Sequence, residues 1–191
     1  VQENKLGLAL TQEPELVSKC LKSLTKYKKE ISVKCRLGLG LEEDKEYIDN
    51  YLSLFSKMGI KTVFVHCRNG ILDLDTKQNR TIPKINYNLF LECQKNHSDL
   101  NLIPNGEINN EETINYLINQ DISNFMIGRQ FSKDILFIEK IGLCDLKNKK
   151  IPVLKFLSDI KLHKFLNINL IKKSIFTLLK NISNSKSVRK D

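Results

Sequence analysis

The 191-residue chain reads as an α/β protein with a parallel sheet. Short runs rich in Val, Ile and Phe alternate with longer stretches of helical apolar spacing, a βα pattern that implies parallel pairing with right-handed crossovers. Four successive strand ends also carry a distinctive set of groups. Lys34 lies towards the end of the first, with His66 at the second, Asn105-Gly106 at the third and Gly128-Arg129 at the fourth. Barrel enzymes gather ligand-binding groups at strand C-termini and commonly hold phosphate in the loops after the last two strands. Four βα units in place of eight predict half of such a barrel, facing an anionic ligand.

The elements follow in order. From Glu13 to Lys29 the residues Leu16, Val17, Cys20, Leu21 and Leu24 recur at helical spacing, with Pro14 tolerated in the first turn. A strand from Ser32 ends at Arg36, Leu37-Gly38-Leu39-Gly40 turns the chain, and Glu42 to Met58 is a helix closed by Gly59. Lys61 to His66 is a second strand. Asn69 to Lys84 is a polar loop too long for a routine connection, which marks it as functional. A helix from Tyr87 to Asn96, a strand at Leu100 to Ile103 and a helix from Glu111 to Asn119 come next. The fourth unit is a strand at Asn124 to Ile127 with a helix from Ser132 to Ile141. Beyond Cys144 the strand signal stops. Val153 to Phe165 and Ile168 to Lys180 read as two amphipathic helices, and Asn181 to Asp191 is a polar, basic tail. The division expected is a half barrel over residues 1–145 and a small all-α module over 146–191.

Composition bounds the partners. A formal charge of +9 favours anionic ones, nucleic acid foremost. Abundant Lys, Asn and Ile with scarce Arg is also what AT-rich coding produces, so the five arginines Arg36, Arg68, Arg80, Arg129 and Arg189 inform more than the many lysines. No apolar run reaches the ~20 residues of a membrane span, and no secretory signal opens the chain. It begins at Val1, which suggests processing or truncation upstream. The five cysteines lack a C-x-x-C pair, which argues against a zinc site or a disulfide scaffold and for a reducing compartment, cytoplasmic or organellar.

Strand alternation sorts the candidates. Lys34 and Arg36 share one face while Val33 and Cys35 share the other; His66 and Arg68 lie opposite Val63, Val65 and Cys67. If the apolar sets face outer helices, the basic pairs face the barrel mouth, and Cys35 and Cys67 are packing residues. Gly106 and Gly128 permit close backbone approach to a ligand or serve ordinary turn chemistry, and Arg129 adds a fork of donors suited to phosphate. On the long loop, Lys77 and Arg80 read either as a solvated basic stretch or as contacts to a phosphate backbone. His97 and His163 have no partner pattern and read as surface residues.

These residues resemble the tRNA-dihydrouridine synthases, in particular the bacterial A-type branch. Gln2-Glu3-Asn4 through Gly7-Leu8-Ala9-Leu10 is similar to the segment after that family's catalytic loop. Val33-Lys34-Cys35-Arg36-Leu37-Gly38 resembles its "VK-x-R-x-G" strand and Val65-His66-Cys67-Arg68 its "VHAR" strand. Lys77-Gln78-Asn79-Arg80-Thr81-Ile82-Pro83 is close to "K-x-NR-x-IPP", the most specific element. Asn105-Gly106-Glu107-Ile108 and Ile127-Gly128-Arg129 match the "NGGI" and "GR" region, and Lys173 to Lys190 resembles a tRNA-contacting helix.

The resemblance implies strands five to eight of a partial TIM (β/α)8 barrel and an FMN-dependent reduction of D-loop uridine in tRNA, with NADPH as reductant. It places Lys34 and His66 by the flavin, Asn105, Gly106, Glu107, Gly128 and Arg129 on its phosphate side, and Lys77, Arg80, Lys186 and Arg189 on tRNA. It implies no metal. Two departures stand out. None of the five cysteines lies in the family's "N-x-GCP" acid loop, so the chain is expected to be inactive alone. Glu107 stands where glycine is usual, bringing a carboxylate near an expected phosphate. A catalytically inactive RNA-binding remnant is the alternative, with another FMN barrel, similar to dihydroorotate dehydrogenase, as a third reading. Half a barrel leaves sheet edges unpaired, which predicts self-association.

Overall fold

Three strands, β1 (Ser32–Leu39), β2 (Thr62–Gly70) and β3 (Asn101–Asn105), pair in sequence order as a parallel sheet. The computed structural model describes residues 7–27, 29–134, 137, 141 and 142. The α/β expectation holds for them. Helix α1 (Pro14–Thr25) precedes β1, α2 (Lys45–Lys57) joins β1 to β2, α3 (Tyr87–Asn96) joins β2 to β3, and α4 (Glu111–Ile118) and α5 (Arg129–Lys133) follow. The chain divides into two compact units, Val1–Ile108 with Asn115–Met126, and Asn109–Ile114 with Ile127–Asp191. The sheet and α1 to α3 belong to the first, and α5 to the second.

Local chemistry explains the helix limits. Asp44 caps α2 by accepting from the backbone N–H of Tyr47 at 2.9 Å, and Asn86 caps α3 by accepting from Leu89 N–H at 2.9 Å. Beyond Met58, Gly59 takes a φ of +77° that ends α2 and sends Ile60 into the core. The buried stripes of α2 (Ile48, Leu52, Phe55) and α3 (Leu89, Phe90, Cys93) recur at helical spacing, and both helices pack on the sheet.

Register sets the two faces. Val33 pairs with Val63, which pairs with Leu102, and Cys35 with Val65, which pairs with Pro104; Val63, Val65, Leu102 and Pro104 are buried. The alternate rows, Lys34–Phe64–Ile103 and Arg36–His66–Asn105, occupy the other face, and none of these six residues is fully buried. The expected segregation from Val33, Cys35, Val63, Val65 and Cys67 is therefore found for Lys34, Arg36 and His66, whereas Arg68, expected beside His66 at the mouth, is buried.

Three boundaries need correction. Leu37 to Gly40 does not turn the chain: β1 runs on to Leu39, and β2 runs past His66 to Gly70, with the register shifting between Arg36 and Gly38. Close approach makes this extension possible, since a Cβ on Gly70 would sit 2.2 Å from the Leu8 side chain. The expected strand Asn124–Ile127 reduces to a single parallel bridge between Asn105 and Met126. Helix α5 starts at Arg129 and stops before an extended Asp134, which interrupts the expected Ser132–Ile141; beyond it Phe137 is helical and accepts from Ile141 N–H at 3.1 Å, and the rest of that span lies outside the described residues. The helices expected at Val153–Phe165 and Ile168–Lys180 lie outside the described residues, as does His163.

Candidate functional site

One row of the sheet collects the expected groups, because parallel register aligns Arg36, His66 and Asn105 side by side near the strands' C-terminal ends. Lys34, one step back on β1, reaches across with its Nζ donating to Asn105 Oδ1 at 3.0 Å. Asn105 in turn donates through Nδ2 to the backbone carbonyl of Met126 at 2.7 Å. The carboxamide is thus oriented on both sides, and Lys34 is aimed by it. Partial burial holds the Lys34 ammonium below the ordinary lysine pKa, and the neighbouring Arg36 pushes the same way.

His66 lies against the turn that follows. Gly106 has a φ of +118°, and a Cβ there would come within 2.9 Å of both His66 Cδ2 and Ile85 Cδ1, so only glycine fits. The Tyr87 hydroxyl donates to the Gly106 carbonyl and ties the turn to the start of α3. Glu107 itself has a φ of +50°, in the left-handed region, and its carboxylate pairs with the Arg68 guanidinium. The departure from glycine therefore brings its own counter-charge.

Arg36 and Arg68 are engaged within the fold and hold the loop after β2. Arg36 Nη1 donates to the carbonyls of Asn69 at 2.7 Å and Asn79 at 3.2 Å. Burial lowers its pKa, and the charges of Arg68 and Arg80 add to that. Arg68, only 3% exposed, donates through Nη1 to the Pro83 carbonyl, and its Nε is buried without a partner. Asn79 is buried too: its Nδ2 donates to the carbonyls of Ile71 at 2.7 Å and Leu74 at 2.9 Å, and its Oδ1 accepts from Ile71 N–H at 2.7 Å. Within the expected "K-x-NR-x-IPP" element, then, Asn79 and Pro83 belong to the scaffold, while Lys77 and Arg80 stand exposed.

The thiols are quiet. Burial pushes Cys35 and Cys67 up to about 12, and Cys93 up to about 11. Cys20 is exposed on α1. Among the described residues no group of His, Cys, Asp or Glu could hold a metal ion, and no helix is long and apolar enough to cross a membrane. His97 corrects an expectation: it is buried, and its Nε2 lies 2.6 Å from Asp49 Oδ1. The residue follows α3 and folds back against α2, a partner 48 positions away that local pattern does not reveal. Tyr87 and the Arg68–Glu107 pair were likewise missed as site elements, for the same reason of sequence distance.

In the second unit, Gly128 precedes α5 and Arg129 opens it with an exposed side chain. Lys186 and Arg189 lie outside the described residues.

Comparison with known proteins points to one family. The tRNA-dihydrouridine(20/20a) synthase of Vibrio vulnificus is 31% identical over 134 residues, covering 68% of this chain and 40% of that protein. Its counterpart in Shewanella oneidensis is 27% identical over 132 residues, 68% of this chain and 39% of that protein. The Xylella fastidiosa protein of the same name is 28% identical over 152 residues, 78% of this chain and 44% of its own length. The chain spans about two fifths of the length of these curated relatives. The family described as dihydrouridine synthase (Dus) has a sequence model that matches residues 1–190. With nearly its full length matched, the chain belongs to the dihydrouridine synthase family.

Proposed function

We propose that this chain is the part of a tRNA-dihydrouridine synthase that holds the phosphate side of FMN and contacts tRNA, as strands five to eight of a TIM barrel over residues 1–145 with a helical module over 146–191. The observation that carries the reading is the Lys34–Asn105 bond at the end of the Arg36–His66–Asn105 row. Strand-end donors of this kind, a cation beside a fixed carboxamide, suit an anionic, hydrogen-bond-rich ring system.

The residues present fit FMN. Lys34 and His66 would lie by its ring, and Asn105, Gly106 and Glu107, with Gly128 and Arg129, on its phosphate side. The group that would repel a phosphate, the Glu107 carboxylate, is paired with Arg68. When bound, FMN supplies a hydride equivalent, replenished from NADPH, for C6 of a D-loop uracil. The chain's own part is to bind and orient. A partly desolvated ammonium at Lys34 favours negative charge nearby, and Lys77 and Arg80 offer charge to the RNA backbone from a braced loop. Protonation of the uracil at C5 requires an acid. None of the five cysteines lies in the "N-x-GCP" context from which the family draws that acid.

The 191 residues by themselves should therefore bind FMN without turning over. Titration followed by flavin fluorescence tests binding, and incubation with NADPH and undermodified tRNA tests turnover. Dihydrouridine formed by this chain alone would refute the division of labour. Exposed Lys77 and Arg80 on a rigid loop also favour a second reading, RNA binding without flavin. A salt series with tRNA separates the two: that reading predicts steep salt dependence with no flavin uptake.

A further inference from the structure

We propose that Arg68 and Glu107 form a strut that sets the position of the Lys77–Pro83 loop relative to the turn after β3. The proposal rests on the reading of Lys77 and Arg80 as RNA contacts and assigns the pair a positioning role for them. Arg68 leaves β2 buried and spans two segments: Nη1 donates to the Pro83 carbonyl at the end of the loop, and Nη2 pairs with the Glu107 carboxylate on the turn. Two further ties run parallel to it. The Tyr87 hydroxyl bonds the Gly106 carbonyl, and Asn86 N–H donates to the Cys67 carbonyl at 2.8 Å. At the other end of the loop, Arg36 holds the Asn79 carbonyl.

Glu107 is the informative partner. Its φ of +50° is a conformation that glycine adopts at less cost, yet a glutamate occupies it. Its carboxylate supplies what the buried guanidinium lacks, a counter-charge within reach; removing one partner of such a pair leaves a charge uncompensated in a poorly solvated place. The pair therefore offsets a local backbone cost and joins two segments whose exposed ends carry the proposed ligand contacts.

Sign makes the idea testable. Loss of a carboxylate beside a basic surface should, by charge alone, tighten binding to a polyanion. Loss of a strut should do the opposite, because the loop cations are no longer held in register. The experiment compares the wild-type chain with Glu107→Gln and Glu107→Gly. Amide exchange is read over residues 71–86, and affinity for an undermodified tRNA transcript is measured across a salt series. Both variants should exchange about tenfold faster in that loop, since local opening there becomes easier. Both should also bind the transcript about fivefold more weakly with the salt slope unchanged, because the number of phosphates neutralised stays the same. Lys77→Ala, as a control, should lower the slope by about 1.

Unchanged loop exchange, or tighter transcript binding by Glu107→Gln, would overturn the strut. Wild-type behaviour restored by Glu107→Gly would overturn it as well, since backbone strain and not the ion pair would then be at work. A wild-type chain with no affinity for the transcript would instead remove the RNA reading itself, and with it the positioning role.

Discussion

At the residue scale, Lys34 and the cysteines show opposite consequences of burial. The folded chain lowers the pKa of Lys34, so its charge costs stability at neutral pH, and that cost fades as pH rises toward 10.5. Under the proposed reading, a bound anionic ligand offsets that cost. Lys34→Met should leave the urea midpoint unchanged or slightly higher while weakening FMN binding about tenfold, the loss expected of one charge-assisted hydrogen bond. A lower midpoint with FMN affinity intact would assign Lys34 to the scaffold. The thiols run the other way. Cys35 and Cys67 sit at about 12 and Cys93 at about 11, above the ordinary value of 9.0, so the folded state prefers the neutral form. Their contribution is present in full below about pH 9 and is lost as pH climbs through the folded values. Stability should therefore fall between about pH 9 and 12. At about pH 8, a thiol reagent should modify exposed Cys20 within the time that leaves the other three untouched. Equal rates for Cys20 and Cys67 would contradict the burial argument.

At the scale of elements, the loop after β2 is the informative piece. Its Asn79 side chain makes three hydrogen bonds to backbone groups of residues 71 and 74 from a buried position. Asn79→Ala strands those groups, a loss of about 2–4 kcal/mol by the usual cost of unsatisfied partners. The urea midpoint should drop accordingly, and trypsin should cut after Lys77 and Arg80, sites that the clamped loop withholds. A protease pattern like that of wild type would show that the loop is held elsewhere. This same loop marks how far the chain could be read without a structure. Helices α2 and α3 were legible because helical apolar spacing and, for α2, the closing Gly59 are local signals. Lys34, His66 and Asn105 were legible because strand parity and strand order fix which groups share a face. The extension of β1 and β2 past Arg36 and His66 was not, since it depends on pairing across a register shift. Nor were the Arg68–Glu107 pair and the His97–Asp49 pair, whose partners lie 39 and 48 positions apart and leave no periodic trace.

For the molecule as a whole, the sheet has a consequence in solution. Among the described residues β1 is hydrogen-bonded on one side only, to β2, so its other edge presents a row of backbone donors and acceptors. Exposed apolar groups flank it in sequence, with Tyr27 at 75% exposure before β1 and Leu41 at 73% after it. An unprotected parallel edge beside exposed apolar side chains is a template for another chain. Charge works against this. A net +9 on 191 residues opposes close approach of two copies at low ionic strength, and salt screens that repulsion over about 10 Å at 0.1 M. Self-association of the 191 residues should accordingly strengthen with both protein concentration and salt, the reverse of the salt dependence expected for tRNA binding. Sedimentation velocity over a tenfold concentration range, at low and at moderate salt, reads this directly. A single monomeric species throughout would show that the β1 edge is covered. Charge-driven association would show the opposite salt trend. Adding tRNA should compete with self-association only if it shields the same surface. A transcript that binds without shifting the monomer fraction would place the RNA contacts away from the open edge of β1.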